Sequence, residues 1–185
     1  MPAVEIAKPE RLFIGVPVPE RTRESLARQL PHSLPGKAAP IGNWHFTLKF
    51  LGSTEPVHRD RLIDELEQIR FGNVFEIAFD ALGAFPNPRR ARILWAGVGK
   101  GRERFESVAA RVEEAAITAG FPADERKFNA HFTLSRLNPP QSVWHIFENA
   151  KRLDARMLVD AVNLYRSELG GAHSKYTVVE SFRLD

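Results

Sequence analysis

The chain carries one ten-residue pattern twice, once in each half of its 185 residues. Residues 43–52 read NWHFTLKFLG and residues 129–138 read NAHFTLSRLN, so six of the ten positions are identical. The polar residues of the two copies are His45 and Thr47, and His131 and Thr133. Side chains alternate between the two faces of a strand, so each histidine shares a face with its threonine while phenylalanine and leucine share the other. The repeat therefore predicts two equivalent strands in a protein with two similar halves.

Apolar spacing around the two motifs predicts the same order of elements in both halves: strand, helix, motif strand, helix, strand. The predicted strands outside the motifs are 12–18, 75–81, 93–98, 157–165 and 176–184. The predicted helices are 20–30, 57–69, 105–116 and 143–150. The last strand can join the sheet of either half. Asn43 and Asn129, two residues before the motif histidines, are assigned to the end of the preceding loop.

This order of elements predicts an α+β protein with two similar lobes related by an approximate two-fold axis. Each lobe is expected to be an antiparallel sheet with helices on the outside, and the motif strands are expected to face each other across a central cleft. We predict one bilobal domain over residues 1–185, with lobes at about 11–90 and 91–185 that can exchange strands.

The composition is that of an ordinary globular protein: 43% of residues are hydrophobic, 26% are charged, and the formal net charge is +3. Arg89, Arg90 and Arg92 form a cluster that suits either a solvated face or a phosphate-bearing partner. The absence of cysteine excludes disulfides, thiolate zinc sites and a cysteine nucleophile. No run reaches the roughly 20 apolar residues of a membrane helix, and residues 1–11 lack the apolar stretch of a signal peptide. We therefore expect a cytoplasmic protein without a membrane partner.

The paired motifs are compatible with several kinds of chemistry. A catalytic metal usually needs a third protein ligand, and neither motif contains an acidic residue. A serine nucleophile is poorly supported because no G-x-S-x-G pattern occurs. Two histidines without a metal suit in-line displacement at a phosphodiester, one imidazole accepting a proton and the other donating one. The hydroxyls of Thr47 and Thr133 can donate to the non-bridging oxygens, and Arg136 can add a charge-assisted contact.

At these residues the chain resembles the 2H phosphoesterase superfamily, whose members carry two His-x-Thr/Ser signatures on a two-lobed fold. Within it, the chain is similar to the RNA 2′,3′-cyclic phosphodiesterase branch, also called the 2′-5′ RNA ligase family. The segments that carry the resemblance are Arg11–Ile14, His45–Gly52, Leu82–Arg90, Leu94–Trp95, His131–Arg136 and Leu164–Leu169. Together, and in this order, they are far more specific than a single His-x-Thr.

The resemblance implies hydrolysis of a terminal 2′,3′-cyclic phosphate to a 2′-phosphate, with no metal and no cofactor. It implies that His45 and His131 are catalytic and that Thr47, Thr133 and Arg136 bind the phosphate. The second histidine would activate water and the first would protonate the departing 3′ oxygen, although the two-fold symmetry makes these roles exchangeable. The implied partners are RNA ends bearing a cyclic phosphate, such as tRNA fragments, or nucleotides, and we expect a monomer.

Three further residues are candidate substrate contacts. Phe13 and Tyr165 can stack on terminal bases, with core packing as the alternative, and Arg166 can contact substrate, with a surface ion pair as the alternative. Three other functions remain open: the reverse ligation to a 2′-5′ bond, hydrolysis of small cyclic nucleotides such as ADP-ribose cyclic phosphate, and RNA or nucleotide binding without turnover.

Overall fold

The structure is a computed structural model that describes residues 8–149, 153–171 and 173–185. Both motif strands begin at their histidine. The strands are β1 Glu10–Pro17, β2 Lys37–Ala38, β3 His45–Thr54, β4 Phe75–Phe85, β5 Ala91–Val98, β6 His131–Gln141, β7 Ala155–Val159, β8 Ala161–Glu168 and β9 Lys175–Arg183. The helices are α1 Glu20–Gln29, α2 Pro56–Glu67, α3 Arg102–Thr118 and α4 Trp144–Asn149, with a 3-10 turn at Ile41–Asn43. The predicted helix over 143–150 includes Ala150, which lies outside the described residues.

The strands form two antiparallel sheets, so the predicted α+β class is confirmed. One sheet has the order β3-β1-β8-β9 and the other has the order β2-β6-β5-β4-β7. In both sheets the motif strand pairs with the strand that begins its half of the sequence, β3 with β1 and β6 with β5. The four-strand series β3-β1-β8-β9 and β6-β5-β4-β7 are therefore equivalent, and β2 is an extra strand beside β6.

Each sheet contains strands from both halves of the sequence. Strand β4, from the first half, pairs with β5 and β7 in the sheet of the second motif. Strands β8 and β9, from the second half, lie in the sheet of the first motif. The last strand of each half therefore completes the sheet of the other half.

The single strand predicted over 157–165 is wrong, because this segment forms two strands in different sheets. Strand β7 pairs with β4, whereas β8 pairs with β1 and β9. The change of sheet occurs at Asp160, whose carbonyl accepts from the Leu184 amide at 2.9 Å and whose carboxylate pairs with Arg183 at 3.0 Å. Apolar residues continue through both strands, so the sequence pattern alone does not mark the change.

The two sheets are joined through an aromatic core beneath the motif strands. Phe46 of β3 and Phe132 of β6 occupy equivalent positions, and their ring centroids are 5.5 Å apart. Phe79 and Phe105 pack against Phe46 at 5.8 and 4.9 Å. All four side chains are buried, and full burial of one such side chain contributes about 1.5–3 kcal/mol. Since histidine and phenylalanine are adjacent in each motif, this packing directs both histidines to the opposite face of their strands.

Within the described residues, none of the helices combines the length and the apolar character that crossing a membrane would require.

Candidate active site

The two motifs occupy equivalent positions in their sheets. His45 is paired with Pro17 and Thr47 with Gly15, while His131 is paired with Gly97 and Thr133 with Trp95. Both strands are irregular just after the threonine, where the register shifts by one residue. The extra residue at such a bulge reverses the alternation of side chains beyond it. As a result Lys49 and Ser135 are buried, whereas Phe50 and Arg136 lie on the same face as the threonines.

Each histidine is held by the backbone carbonyl two residues before it. His45 Nδ1 lies 2.6 Å from the Asn43 oxygen, and His131 Nδ1 lies 2.7 Å from the Asn129 oxygen. A carbonyl only accepts hydrogen bonds, so Nδ1 carries the proton in each neutral ring and Nε2 presents the free lone pair. Sequence reasoning placed both asparagines in the preceding loop but missed this function, because a backbone carbonyl leaves no signal in the residue type.

The same arginine acts on both histidines. Burial is the largest cause that lowers the pKa of His45 and of His131 below the ordinary value of 6.5. The hydrogen bond to the carbonyl raises each pKa in part, and the charge of Arg136 lowers each of them further. A single guanidinium can influence both rings only if both lie near it. Together with the contact between Phe46 and Phe132, which follow the two histidines and lie 5.5 Å apart, this places His45, His131 and Arg136 in one site.

The threonines lie on the same face as the histidines. His45 Nε2 is 3.1 Å from Thr47 Oγ1, so this hydroxyl donates to the free lone pair of the neutral ring. Thr133 is half-buried beside His131, opposite Trp95. The predicted phosphate-binding residues Thr47, Thr133 and Arg136 are thus gathered with the two histidines.

Aromatic side chains enclose His45. The ring centroid of Phe13 lies 4.7 Å from that of His45, and the rings of Tyr176 and Tyr165 lie at 5.1 and 6.0 Å. Gly15 permits the close pairing of β1 with β3, because a Cβ there would lie 2.5 Å from the Phe46 carbonyl oxygen. Phe13 is only 3% exposed, so its ring is a wall of the histidine pocket. Sequence reasoning did not identify Tyr176.

A different aromatic pair encloses His131. The rings of Phe85 and Trp95 lie 5.1 and 5.7 Å from the ring of His131. The indole of Trp95 lies flat over Gly83 and Gly97, where an added Cβ would come within 2.0 and 2.6 Å of it. Trp95 Nε1 is buried and has no hydrogen-bond partner within the part of the chain that the structure describes. Neither ring was selected by sequence reasoning.

The other two predicted substrate contacts have different surroundings. Tyr165 is buried and stacked on Phe13 at 4.9 Å, and its hydroxyl accepts a hydrogen bond from Asn163 Nδ2 at 3.0 Å. Burial raises the pKa of this tyrosine. Arg166, the next residue along β8, points to the opposite face of the sheet and pairs with Glu10 at 3.0 Å. The structure therefore brings Tyr165 to His45 and does not bring Arg166 there.

The exposed ring at the site is Phe50, which sequence reasoning did not select. It is 66% exposed, and its ring centroid is 6.2 Å from that of Phe13, its cross-strand partner. In the repeat, Phe50 corresponds to Arg136, so the same position bears an apolar ring on one side of the site and a guanidinium on the other. An exposed aromatic ring at a site that also carries an arginine suits a nucleotide.

The family of the chain follows from its similarity to known proteins. The family model described as LigT like Phosphoesterase matches residues 14–95 and 98–176. The chain belongs to this phosphoesterase family, which confirms the resemblance found in the sequence.

Individual relatives cover the chain to different extents. An RNA 2′,3′-cyclic phosphodiesterase of Methanothermobacter thermautotrophicus is 32% identical over 94% of this chain and 98% of its own length. One of Aeropyrum pernix is 36% identical over 63% of this chain and 64% of its own length, so this chain spans just under two thirds of that protein. The crystal structure of TT0787 of Thermus thermophilus is 27% identical with a TM-score of 0.73, and the two chains are covered to 94% and 97%. Escherichia coli LigT, complexed with 3′-AMP, is 24% identical with a TM-score of 0.77 and shares the fold, with 96% and 99% covered.

Proposed function

We propose that this chain is an RNA 2′,3′-cyclic phosphodiesterase that opens a terminal cyclic phosphate to a 2′-phosphate. The observation that carries the proposal is that two imidazoles, each with Nδ1 held by a carbonyl, lie within the influence of the one guanidinium of Arg136. The names of the relatives, which are RNA 2′,3′-cyclic phosphodiesterases, support the substrate class.

Arg136 and the two threonine hydroxyls are proposed to hold the phosphate. The guanidinium contacts one non-bridging oxygen, and the hydroxyls of Thr47 and Thr133 donate to the non-bridging oxygens as charge accumulates on them. For Thr47 this requires the hydroxyl to turn from His45 Nε2 to the phosphate, which frees that nitrogen for proton transfer.

The two histidines are proposed to transfer the protons. His131 Nε2 accepts a proton from water as the water oxygen attacks phosphorus. The bond from phosphorus to the 3′ oxygen breaks, and protonated His45 donates its Nε2 proton to that oxygen. The products are a 3′-hydroxyl and a 2′-phosphate. Before the next cycle His131 releases the proton it took from water to solvent, and His45 takes up a proton from solvent, so both rings regain their starting states. Each proton-transfer group typically contributes about 10²–10⁴-fold to the rate.

This direction of proton transfer rests on the resemblance to the family, because the hydrogen bonds of the two Nδ1 atoms are the same. The surroundings of the two rings are not the same. His45 is enclosed by Phe13, Tyr165 and Tyr176, and His131 by Phe85 and Trp95. Because the two rings have different neighbours, their pKa values need not be equal, and such a difference would separate the two roles.

The reverse reaction uses the same groups with their roles exchanged, so a 5′-hydroxyl in place of water would give a 2′-5′ linkage. Small cyclic nucleotides would fit the same groups, since the phosphate contacts do not depend on RNA length.

We also propose that the protein acts as a cytoplasmic monomer. Sedimentation of the purified chain at two concentrations would test the monomeric state.

The test of the proposed function is turnover of a short oligoribonucleotide that ends in a 2′,3′-cyclic phosphate, in the presence of EDTA. A product that ends in a 2′-phosphate is expected, identified by mass and by isomer analysis. Activity that is lost in EDTA and restored by a divalent ion would contradict the metal-independent mechanism. A 3′-phosphate product would show that the other oxygen leaves.

Histidine variants complete this test. His45→Ala and His131→Ala should each lower kcat by at least about 10²-fold while the circular dichroism spectrum stays that of the wild type. The matched control is His32→Ala, which removes an exposed imidazole outside the motifs and should leave turnover unchanged. Near-normal turnover by either motif variant would refute the two-histidine mechanism.

A further inference from the structure

The two-residue strand β2 is held firmly against the motif strand β6. Lys37 is paired with Arg136 and Ala38 with Ser135, and the Ala39 amide donates to the Leu134 carbonyl at 2.8 Å. Ser135 Oγ donates to the Pro35 carbonyl. These contacts set the position of Lys37 relative to Arg136, although both of their side chains are exposed.

Gly36 makes this close pairing possible. Its φ is +76°, a conformation that other residues rarely adopt, and its backbone lies against the carbonyl of Arg136 with no room for a Cβ. The approach of β2 to β6 therefore depends on a glycine directly before the lysine.

The pairing sets two like charges directly opposite each other. Directly opposed residues of antiparallel strands share a face, with Cβ atoms about 5 Å apart, and like charges in this arrangement are destabilising. Among the residues that the structure describes, no ion pair to an acidic side chain joins either Lys37 or Arg136. A bound anion between or beside the two cations would remove this repulsion.

We propose that Lys37 forms a second phosphate subsite beside Arg136, which binds the phosphodiester linkage preceding the terminal nucleotide. This inference rests on the proposed function and narrows its substrate to oligoribonucleotides. Arg136 and the two threonines are sufficient for the single phosphate of a cyclic mononucleotide, whereas the adjacent linkage of an RNA strand brings a second negative charge to the same face. The subsite reads the backbone and not the bases, so it does not select a sequence.

The test compares three substrates: a nucleoside 2′,3′-cyclic phosphate, a dinucleotide ending in the same group, and that dinucleotide with a neutral methylphosphonate linkage. The wild-type protein should show a lower KM for the charged dinucleotide than for the other two. Lys37→Gln should raise the KM of the charged dinucleotide by about three- to five-fold, the scale of one exposed ionic contact. The same variant should leave the KM of the other two substrates and all kcat values unchanged.

Two controls separate the subsite from a general effect of charge. Lys37→Arg should retain the preference for the charged dinucleotide, and Lys100→Gln, which removes an exposed lysine after β5, should behave as the wild type. The dependence of log KM on log salt concentration should also become shallower by about 0.7 in Lys37→Gln for the charged dinucleotide, as expected for one lost phosphate contact to a single strand.

Two results would overturn the subsite while leaving the proposed function intact. An equal rise in KM for all three substrates would place Lys37 at the reacting phosphate, and no change for any substrate would make Lys37 part of a solvated face. Failure of the wild-type protein to turn over any of the three would instead refute the proposed function.

Discussion

Lys49 is a buried cation that joins three parts of the structure. It follows Thr47 by two residues on β3 and is only 2% exposed. Its Nζ donates to both carboxylate oxygens of Glu113 on α3, at 2.9 and 2.8 Å, and to the Pro122 carbonyl at 2.7 Å. Asp124 lies at 3.2 Å, and its amide donates to Glu113 at 2.7 Å. The first motif strand is thereby tied to α3 and to the loop that follows it.

This loop leads directly to the second motif. Residues 119–130 connect α3 to β6, and the Asn129 carbonyl near the end of this connection accepts from His131 Nδ1 at 2.7 Å. Phe128 is stacked against Phe105 at 6.0 Å, which holds the segment to α3. Loss of the Lys49 contacts should therefore loosen the loop that orients His131.

We predict that Lys49→Met destabilises the protein by about 2–3 kcal/mol. Methionine fills most of the volume of the lysine stem but loses hydrogen bonds between charged groups that contribute about 1.5–3 kcal/mol each. Breaking a wholly buried ion pair costs about 3–5 kcal/mol. The cost here is lower, because Glu113 is 27% exposed and Asp124 is 53% exposed, so water can reach both carboxylates after the lysine is removed.

The assay is urea unfolding of the wild type and of Lys49→Met, followed by circular dichroism at constant pH. The matched control is Lys127→Met, which makes the same substitution at an exposed position of the same loop and should change the unfolding free energy by less than about 0.5 kcal/mol. The double variant Lys49→Met/Glu113→Gln should recover part of the loss, since it also removes the unpaired carboxylate. A loss of less than about 0.5 kcal/mol in Lys49→Met would refute the reasoning.

Further predictions concern the histidines and the exposed ring. The pKa values of His45 and His131 are both lowered, so both limbs of the bell-shaped dependence of kcat/KM on pH should lie at lower pH than two unperturbed imidazoles would give. A pH profile centred above about pH 7 would contradict this. The same lowered pKa values mean that the unfolded state binds more protons than the folded state below about pH 6.5. The unfolding free energy should therefore fall as the pH drops from there through the folded-state pKa values of the two histidines. Urea titrations at several pH values would show this fall. Arg136→Gln should raise both histidine pKa values in NMR titrations, and a shift in one ring alone would show that the motifs do not share a site. Phe50→Ala should raise the KM of the oligonucleotide by about 5- to 100-fold, the range expected for one stacked base. Val178→Ala, at an exposed position of β9, should leave this KM unchanged. Equal KM values for the wild type and for Phe50→Ala would exclude stacking on Phe50.

The elements that the sequence predicted well are those whose signal is local. Alternation around His45 and His131 predicts two strands with a polar face and an apolar face, and both strands begin at the histidine. Helical spacing at 105–116 lies within α3, and Gly120 ends that helix with a φ of +99°. These features depend on neighbours within a few residues, which is the range over which side-chain period and glycine conformation act.

The strand over 157–165 was predicted incorrectly because sheet membership is not a local property. Apolar residues lie on both sides of Asp160, but β7 pairs with β4 and β8 pairs with β1. Which partner each segment pairs with depends on how the two halves pack together. Each sheet contains a strand, β4 in one and β1 in the other, with which an antiparallel neighbour can pair.

The sequence by itself determined the chemical groups of the candidate site. Two histidines and two threonines are repeated at a spacing that assigns each pair to one face of a strand, and an arginine occurs in the second copy alone. The tertiary structure decided their environment. The bulge after each threonine turns Arg136 and Phe50 to the site, two backbone carbonyls orient the imidazoles, and Phe13 is buried while Phe50 is left exposed. The physical reason is that residue type and period are carried by the chain itself, whereas burial, backbone hydrogen bonds and the field of a distant charge exist only after remote segments have packed together.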